Sequence, residues 1–128
     1  MSRTLGQKRA AFALEQLRNR LSNVSDQLKK EFPAFTSGLP AMILQNGFGQ
    51  TLAFLLAKAG DNQEDKHYIA FKIITDWLRE NKVLNGKNKK EVMEYISNQM
   101  DQTQYLYAQR ETLAMLEWLK RFANAELF

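Results

Sequence analysis

The clearest hydrophobic pattern in the chain runs through residues 7–28, where small or apolar side chains recur at alternating spacings of four and three. The positions are Ala10, Leu14, Leu17, Leu21, Val24 and Leu28. This spacing predicts a long amphipathic helix with a single packing seam. Because the residue before a proline is disfavoured in the helical conformation, we expect this first helix to end near Phe32 and Pro33.

Two short helices are predicted to follow, within a stretch that contains both prolines of the chain. Pro40 suits the first turn of a helix, and Gly47 suits a left-handed stop. A second short helix is expected to end at Ala59, with Gly60 as its cap. No alternation of apolar and polar residues typical of strands stands out in these residues or in the rest of the chain.

Later helices are predicted from their start signals. Asp61-x-x-Glu64 has the form of a capping box, and Asn85-Gly86 is expected to end the helix that follows it. The core positions expected of this helix are Ala70, Phe71, Ile73, Ile74, Trp77 and Leu78. Asn88 predicts another helix start, and a last helix is either continuous with its predecessor or broken near Asp101. The fold class is therefore all-α: a single compact bundle of five to six helices with a long N-terminal helix, in one domain spanning residues 1–128.

A neutral window separates the first helix from the later ones, since no charged residue occurs between Glu31 and Lys58. Proline, glycine, glutamine and asparagine interrupt its apolar residues, which excludes a membrane-spanning helix. A phosphate-binding glycine loop is not favoured, because such loops follow a strand. We expect the apolar positions to form a central hairpin, with Gln45, Asn46 and Gln50 forming hydrogen bonds across a turn or to a neighbouring subunit.

Composition narrows the classes of protein further. The chain has 128 residues, of which 25% are charged and 45% hydrophobic, as in ordinary globular domains. Cysteine is absent, which excludes disulfides, a thiol nucleophile and thiolate metal ligands. The first residues lack the apolar segment of a signal peptide. We therefore expect a cytoplasmic protein.

The net charge of +4 is unevenly distributed, since residues 1–30 carry seven basic side chains against two acidic ones. Lys8, Arg9, Arg18 and Arg20 lie in the predicted first helix, and Lys120 and Arg121 lie beside Trp118 and Phe122 near the C-terminal end. Basic side chains of this kind bind phosphates without reading sequence. Two interpretations stay open: a nucleic-acid surface, or solvated helix faces with both aromatic residues in the core.

Catalytic groups are sparse. His67 is the only histidine, which excludes a metal site built on two histidines. Asp76 and Glu80 are four residues apart on a predicted helix, but basic residues lie among such pairs, as on ordinary solvated helix faces. We expect no enzymatic activity, no cofactor and no metal, and keep a metal-dependent nuclease as the rival hypothesis from the enzyme class.

Three segments together resemble the small subunit of the type III-B CRISPR effector (Cmr) complex. They are residues 6–18 (GQKRAAFALEQLR), 39–56 (LPAMILQNGFGQTLAFLL) and 110–125 (RETLAMLEWLKRFANA). The Leu-Pro-x-x-Ile/Leu-x-Asn-Gly-x-x-Gln pattern and the Trp-Leu-Lys-Arg-Phe-Ala ending are its specific parts. Residues 61–105 match only in helical character. Thr112 departs from the pattern, since a small alanine is expected there.

The resemblance implies an all-helical subunit without catalysis of its own. Copies of it would stack with one another and with the backbone and large subunits, and would line the path of the guide and target RNA with basic residues. The implied RNA-contact residues are first Lys8 and Arg9, then Arg18 and Arg20, and then Lys120 and Arg121. The alternative is a purely protein–protein helical adaptor subunit without direct RNA contact.

Overall fold

The computed structural model describes residues 2–128, which form six α-helices and no strand. The helices are α1 (Leu5–Leu21), α2 (Asp26–Asn46), α3 (Phe48–Ala59), α4 (Lys66–Glu80), α5 (Lys89–Asn98) and α6 (Gln102–Asn124). The predicted all-helical class and the upper number of helices are thereby confirmed.

The described residues fall into two compact units. One consists of the residues up to Pro40 together with Leu113–Phe128, and the other of Ala41–Thr112. Helices α2 and α6 contribute residues to both units. The single domain expected from the sequence stays a prediction.

Helix α1 begins at a complete capping box. The Thr4 hydroxyl accepts a hydrogen bond from the backbone N–H of Gln7 at 3.0 Å, and the Gln7 side chain accepts one from the backbone N–H of Thr4 at 2.8 Å. The helix ends at Leu21, so the prediction that it continues to Phe32 and Pro33 was wrong. Serine and asparagine side chains at residues 22–25 compete with helical hydrogen bonds, which favours the end of α1 here. Ser25 then caps the start of α2, because its hydroxyl accepts a hydrogen bond from the backbone N–H of Leu28 at 3.2 Å.

Helix α2 passes through both prolines without interruption, so the predicted helix start at Pro40 was also wrong. The reason is a buried stripe at helical spacing that spans both prolines. Its members are Phe32, Thr36, Leu39 and Ile43, all of them buried. A proline inside a helix removes one hydrogen bond and costs roughly 3 kcal/mol, and burial of this face offsets that cost.

Helices α3 and α4 pack against each other within the unit formed by Ala41–Thr112. All six core positions predicted for α4 are buried. Its start differs from the prediction, because Asp65 rather than Asp61 is the N-cap and accepts from the backbone N–H of His67 at 2.7 Å. The helix ends at Glu80, ahead of the predicted break at Asn85-Gly86.

The last two helices are separate, which confirms the alternative with a break near Asp101. Asn88 caps α5 as predicted, since its side chain accepts from the N–H of Glu91 at 2.9 Å. Asp101 and Gln104 form a reciprocal capping pair at the start of α6. The unexpected Thr112 is fully buried in α6 and donates to the carbonyl oxygen of Ala108 at 2.8 Å, so its hydroxyl is satisfied within its own helix.

Candidate nucleic-acid interface

Four basic residues of α1, Lys8, Arg9, Arg18 and Arg20, form the set that we call the α1 cations. Lys8 and Arg18 are exposed, whereas Arg9 and Arg20 are half-buried. Arg9 and Arg20 lie on one flank of the helix, about 20° apart in projection and roughly 16 Å apart along its axis. Arg20 Nε donates to Gln16 Oε1 at 2.6 Å, which fixes its position on this flank.

The electrostatic surroundings of the α1 cations differ from one residue to another. Glu15 is the only acidic residue of the helix, and no ion pair of Lys8 or Arg18 is present among residues 2–128. Arg18 and Arg20 lie in the last turn, where cations stabilise the negative end of the helix dipole. Lys8 lies near the opposite, positive end, so helix stability gives no reason for its charge.

Lys120 and Arg121, near the end of α6, share one acidic partner. Lys120 Nζ is 2.8 Å from Glu117 Oε2, and Arg121 Nη2 is 3.9 Å from Glu117 Oε1. One carboxylate therefore faces two cations, and a positive charge is left over. The ring of Trp118 packs on that of Phe122 with the centroids 5.6 Å apart, and 38% of Trp118 is exposed. An exposed aromatic residue beside excess positive charge suits a nucleic-acid surface.

The turn at Gly47 connects α2 to α3, and two of its backbone N–H groups donate to side chains of α6. Gly47 has a φ of 88°, a conformation that favours glycine, and lacks a side chain to cap the helix. The N–H of Phe48 donates to Gln109 Oε1 at 2.9 Å, and the N–H of Gly49 donates to the Tyr105 hydroxyl at 2.8 Å. The unpaired donors at the start of α3 are thus satisfied by residues distant in sequence.

Gln45, Asn46 and Gln50 are exposed beside this turn. The interactions that hold the turn together are instead made by the backbone, by Gln109 and by Tyr105. Gln109 and Tyr105 were not predicted from the sequence. Gln109 is 61 positions from Phe48 and Tyr105 is 56 positions from Gly49, and no local pattern indicates a hydrogen bond over such a separation. The role of the three exposed amides toward a neighbouring subunit stays a prediction.

His67 occupies the capped first turn of α4. Its Nδ1 is 2.7 Å from Asp65 Oδ1, and its ring packs edge-on to Phe54 with the centroids 6.1 Å apart. Partial burial acts to raise the pKa of Asp65, but the hydrogen bonds from the backbone and side chain of His67 outweigh it and hold that pKa below its ordinary value. These contacts position the helix start.

Of the acidic pair Asp76 and Glu80, Asp76 forms ion pairs with basic neighbours. Asp76 Oδ1 is 2.5 Å from Arg79 Nη2 and 3.4 Å from Lys72 Nζ. From residue 2 to residue 128 there is no group of three or more acidic or histidine side chains placed to hold a metal ion. Over the same residues, none of the helices combines the length and the apolar character needed to cross a bilayer.

One comparison with known proteins bears on this surface. The model of the family described as CRISPR-associated protein (Cas_Cmr5) matches residues 5–126. The match includes all six helices. It also includes every residue of the α1 cations, the pair at the end of α6 and the turn at Gly47.

Proposed function

The chain belongs to the CRISPR-associated Cas_Cmr5 family, whose members are small subunits of the type III-B Cmr complex, and on this basis we propose that it lines the path of the guide and target RNA with the α1 cations. Lys120 and Arg121, which belong to the same unit as α1, are proposed as additional RNA-contact residues. The protein stacks with further copies of itself and with the backbone and large subunits of the complex. In this role the protein positions the RNA and supplies positive charge, and it catalyses no reaction. It acts in the cytoplasm as a single domain and needs no cofactor.

The observation that carries this proposal is the exposed positive charge of α1. Lys8 and Arg18 lack an ion pair within the described chain, and the location of Lys8 near the positive end of the helix dipole is unfavourable for the helix itself. Phosphate oxygens would compensate both charges. Lys8 is therefore the leading RNA-contact residue, followed by Arg18. Arg9 and Arg20, which already make interactions within the protein, come next.

The experiment is charge reversal at the two exposed positions in the reconstituted complex. In the K8E/R18E variant, target RNA should bind more weakly. The slope of log affinity against log salt should decrease in magnitude by roughly 0.7 for each RNA phosphate that the protein no longer neutralises. The matched control is K30E/K90E, which changes the net charge equally at two exposed lysines outside the proposed surface.

The readout includes the subunit content of each complex, measured by size exclusion and native mass spectrometry. If K8E/R18E assembles normally and shows the RNA affinity and salt slope of K30E/K90E, the proposed phosphate contacts are wrong.

A protein–protein adaptor without RNA contact is the second candidate, and one observation favours it. Leu44 is 69% exposed at the end of α2, next to Gln45 and Asn46 in the neutral window. An exposed leucine followed by uncharged amides suits a subunit interface. Under this function, Leu44→Glu would remove the protein from the complex, whereas K8E/R18E would leave RNA binding by the assembled complex unchanged.

A further inference from the structure

A cavity of about 290 Å³ lies beside α4, within the unit formed by Ala41–Thr112. Four basic and two aromatic side chains contribute to its wall: Lys72, Arg79, Lys87, Lys89, Tyr68 and Phe71. Of the described residues that line it, Asp61 is the only acidic one. We call this feature the basic cavity. It contains none of the α1 cations.

The arginine of the basic cavity is held rigidly. Arg79 Nη1 donates to the carbonyl oxygen of Gly86 at 2.9 Å, and Nη2 donates to Asp76 Oδ1 at 2.5 Å. Lys72 Nζ is 3.4 Å from the same carboxylate. Asp76 therefore offsets part of the positive charge on this side and fixes Arg79 against the loop that carries Lys87.

That loop is also fixed at its other end. Gly86 has a φ of 131°, and a Cβ atom there would come within 2.7 Å of the backbone nitrogen of Val92. Glycine is thus required for the close approach of this loop to α5. The N–H of Lys87 donates to Glu91 Oε1 at 2.9 Å, and Asn88 caps the helix. The backbone positions of Lys87 and Lys89 are consequently set before any ligand arrives.

The side chains of Lys87 and Lys89 have no acidic partner within the described residues, and both are exposed. They lie at the positive end of the α5 dipole, where basic residues destabilise a helix. An anion at this place would be favoured by both lysines and by the helix end. The aromatic part of the wall consists of Phe71, which is 2% exposed, and half-buried Tyr68, with ring centroids 6.2 Å apart.

We propose that the basic cavity binds one nucleotide unit. Lys87 and Lys89 contact the phosphate, fixed Arg79 adds positive potential, and the base lies against Tyr68. The volume is close to the lower end of small-ligand sites, roughly 300 Å³, which suits one nucleotide better than several. The phosphate comes either from a free nucleotide or from an RNA strand. The site lies in the other unit from α1 and does not rest on the function proposed for the α1 cations.

The test is a titration of the full-length, ¹⁵N-labelled chain followed by two-dimensional NMR. The probes are adenosine 5′-monophosphate, a short uridine oligoribonucleotide and inorganic phosphate. We expect the nucleotide and the oligonucleotide to shift the amide signals of Gly60, Gly86 and Asn88, which line the cavity or hold its loop. Tighter binding of the oligonucleotide would identify an RNA strand as the source, and tighter binding of the mononucleotide would identify a free nucleotide.

The variants separate a specific site from general attraction. K87Q/K89Q should weaken nucleotide binding about fivefold, as expected for the loss of two charge-assisted hydrogen bonds near solvent. The control K82Q/K90Q removes the same charge from two neighbouring exposed lysines outside the cavity and should bind as the wild type does. Tyr68→Leu should weaken binding of the nucleotide but not of inorganic phosphate, since only the nucleotide has a base to stack.

Three results would overturn the proposal: no shifts at these amides with either nucleotide probe, equal affinities for the two double variants, or inorganic phosphate binding as tightly as the nucleotide. With adenosine 5′-monophosphate, the amides of the basic cavity should titrate in the K8E/R18E variant as they do in the wild type. A failure at the basic cavity is therefore distinguishable from a failure of the α1 cations.

Discussion

Helices α1 and α3 begin in opposite ways. Helix α1 is capped by its own residues, Thr4 and Gln7. Helix α3 has no side-chain cap of its own. Its first backbone N–H groups donate hydrogen bonds to Gln109 and Tyr105 of α6. The first start is local and the second depends on the tertiary fold. The two helices also differ in charge. Helix α1 carries several exposed basic residues, whereas Lys58 is the only charged residue of α3.

This difference separates what serves the fold from what is available to a partner. At the start of α3, the first donors and the glycine backbone are already satisfied within the protein. On α1, the cap is made by Thr4 and Gln7, and the exposed Lys8 and Arg18 form no ion pair within the described residues. Exposed cations on a helix whose start is capped by its own residues are available to phosphates at little cost to stability.

Shortening the side chain of Phe48, the first residue of α3, should have the largest effect on stability of the variants that test this difference. Phe48 is fully buried, and Phe48→Ala should lower the free energy of unfolding by about 3–5 kcal/mol. Phe54 lies on the same helix and is 39% exposed, so Phe54→Ala should cost only about 1 kcal/mol. Urea unfolding followed by circular dichroism measures both. Equal losses of stability for the two variants would contradict the claim that α3 is anchored at its start.

A smaller effect should follow from removing the donated caps. Gln109→Ala and Tyr105→Phe each leave one backbone donor of α3 without its partner, and each should cost about 1 kcal/mol. Native-state hydrogen exchange should show faster exchange at the amides of Phe48 and Gly49.

Thr4→Ala is the matched change at the start of α1. It should cost roughly 0.5–1 kcal/mol and increase exchange only in the first turn of that helix. If Thr4→Ala increases exchange across the whole chain, or if the α6 variants increase exchange within α6 but not at Phe48 and Gly49, the contrast between the two starts is wrong.

The smallest effect is expected from neutralising the exposed α1 cations. K8Q/R18Q should change the free energy of unfolding by less than about 0.5 kcal/mol, because neither residue forms an ion pair within the described chain and their opposite effects on the α1 dipole offset each other. Chemical denaturation at low and at high salt provides the measurement. A decrease of more than about 1.4 kcal/mol, a tenfold change in the folding equilibrium, would show that these charges serve the fold instead.

Local signals predicted much of the fold. The capping residue Asn88 and the break near Asp101 are confirmed, as is the buried face of α4. The errors at the prolines concern the predicted end of the first helix and the predicted start of the second, because the buried face of α2 continues through both residues. Other errors lie elsewhere, at the end of α1 at Leu21 and at the two ends of α4. The stripe of Phe32, Thr36, Leu39 and Ile43 has helical spacing and includes a polar residue, which hid its continuity through Pro33 and Pro40.

The candidate sites were predictable only in part. Lys8 and Arg18 were proposed from their charge and from the family resemblance, both are exposed, and their contact with RNA stays a prediction. The roles of Gln109 and Tyr105 depend on tertiary contacts that no local pattern indicates. For Lys87 and Lys89 the sequence indicated only a basic loop, because Arg79 and Gly86, which give the cavity its form, are brought together by the fold.

The most direct test of the central claim is a density map of the assembled complex with guide and target RNA bound. We expect phosphate oxygens within about 4 Å of Lys8 Nζ and of the Arg18 guanidinium, the range of an ion pair. Both side chains should point into the RNA path from an unaltered α1. Density that places these two residues against acidic side chains of another subunit, away from any RNA, would contradict it and favour the adaptor.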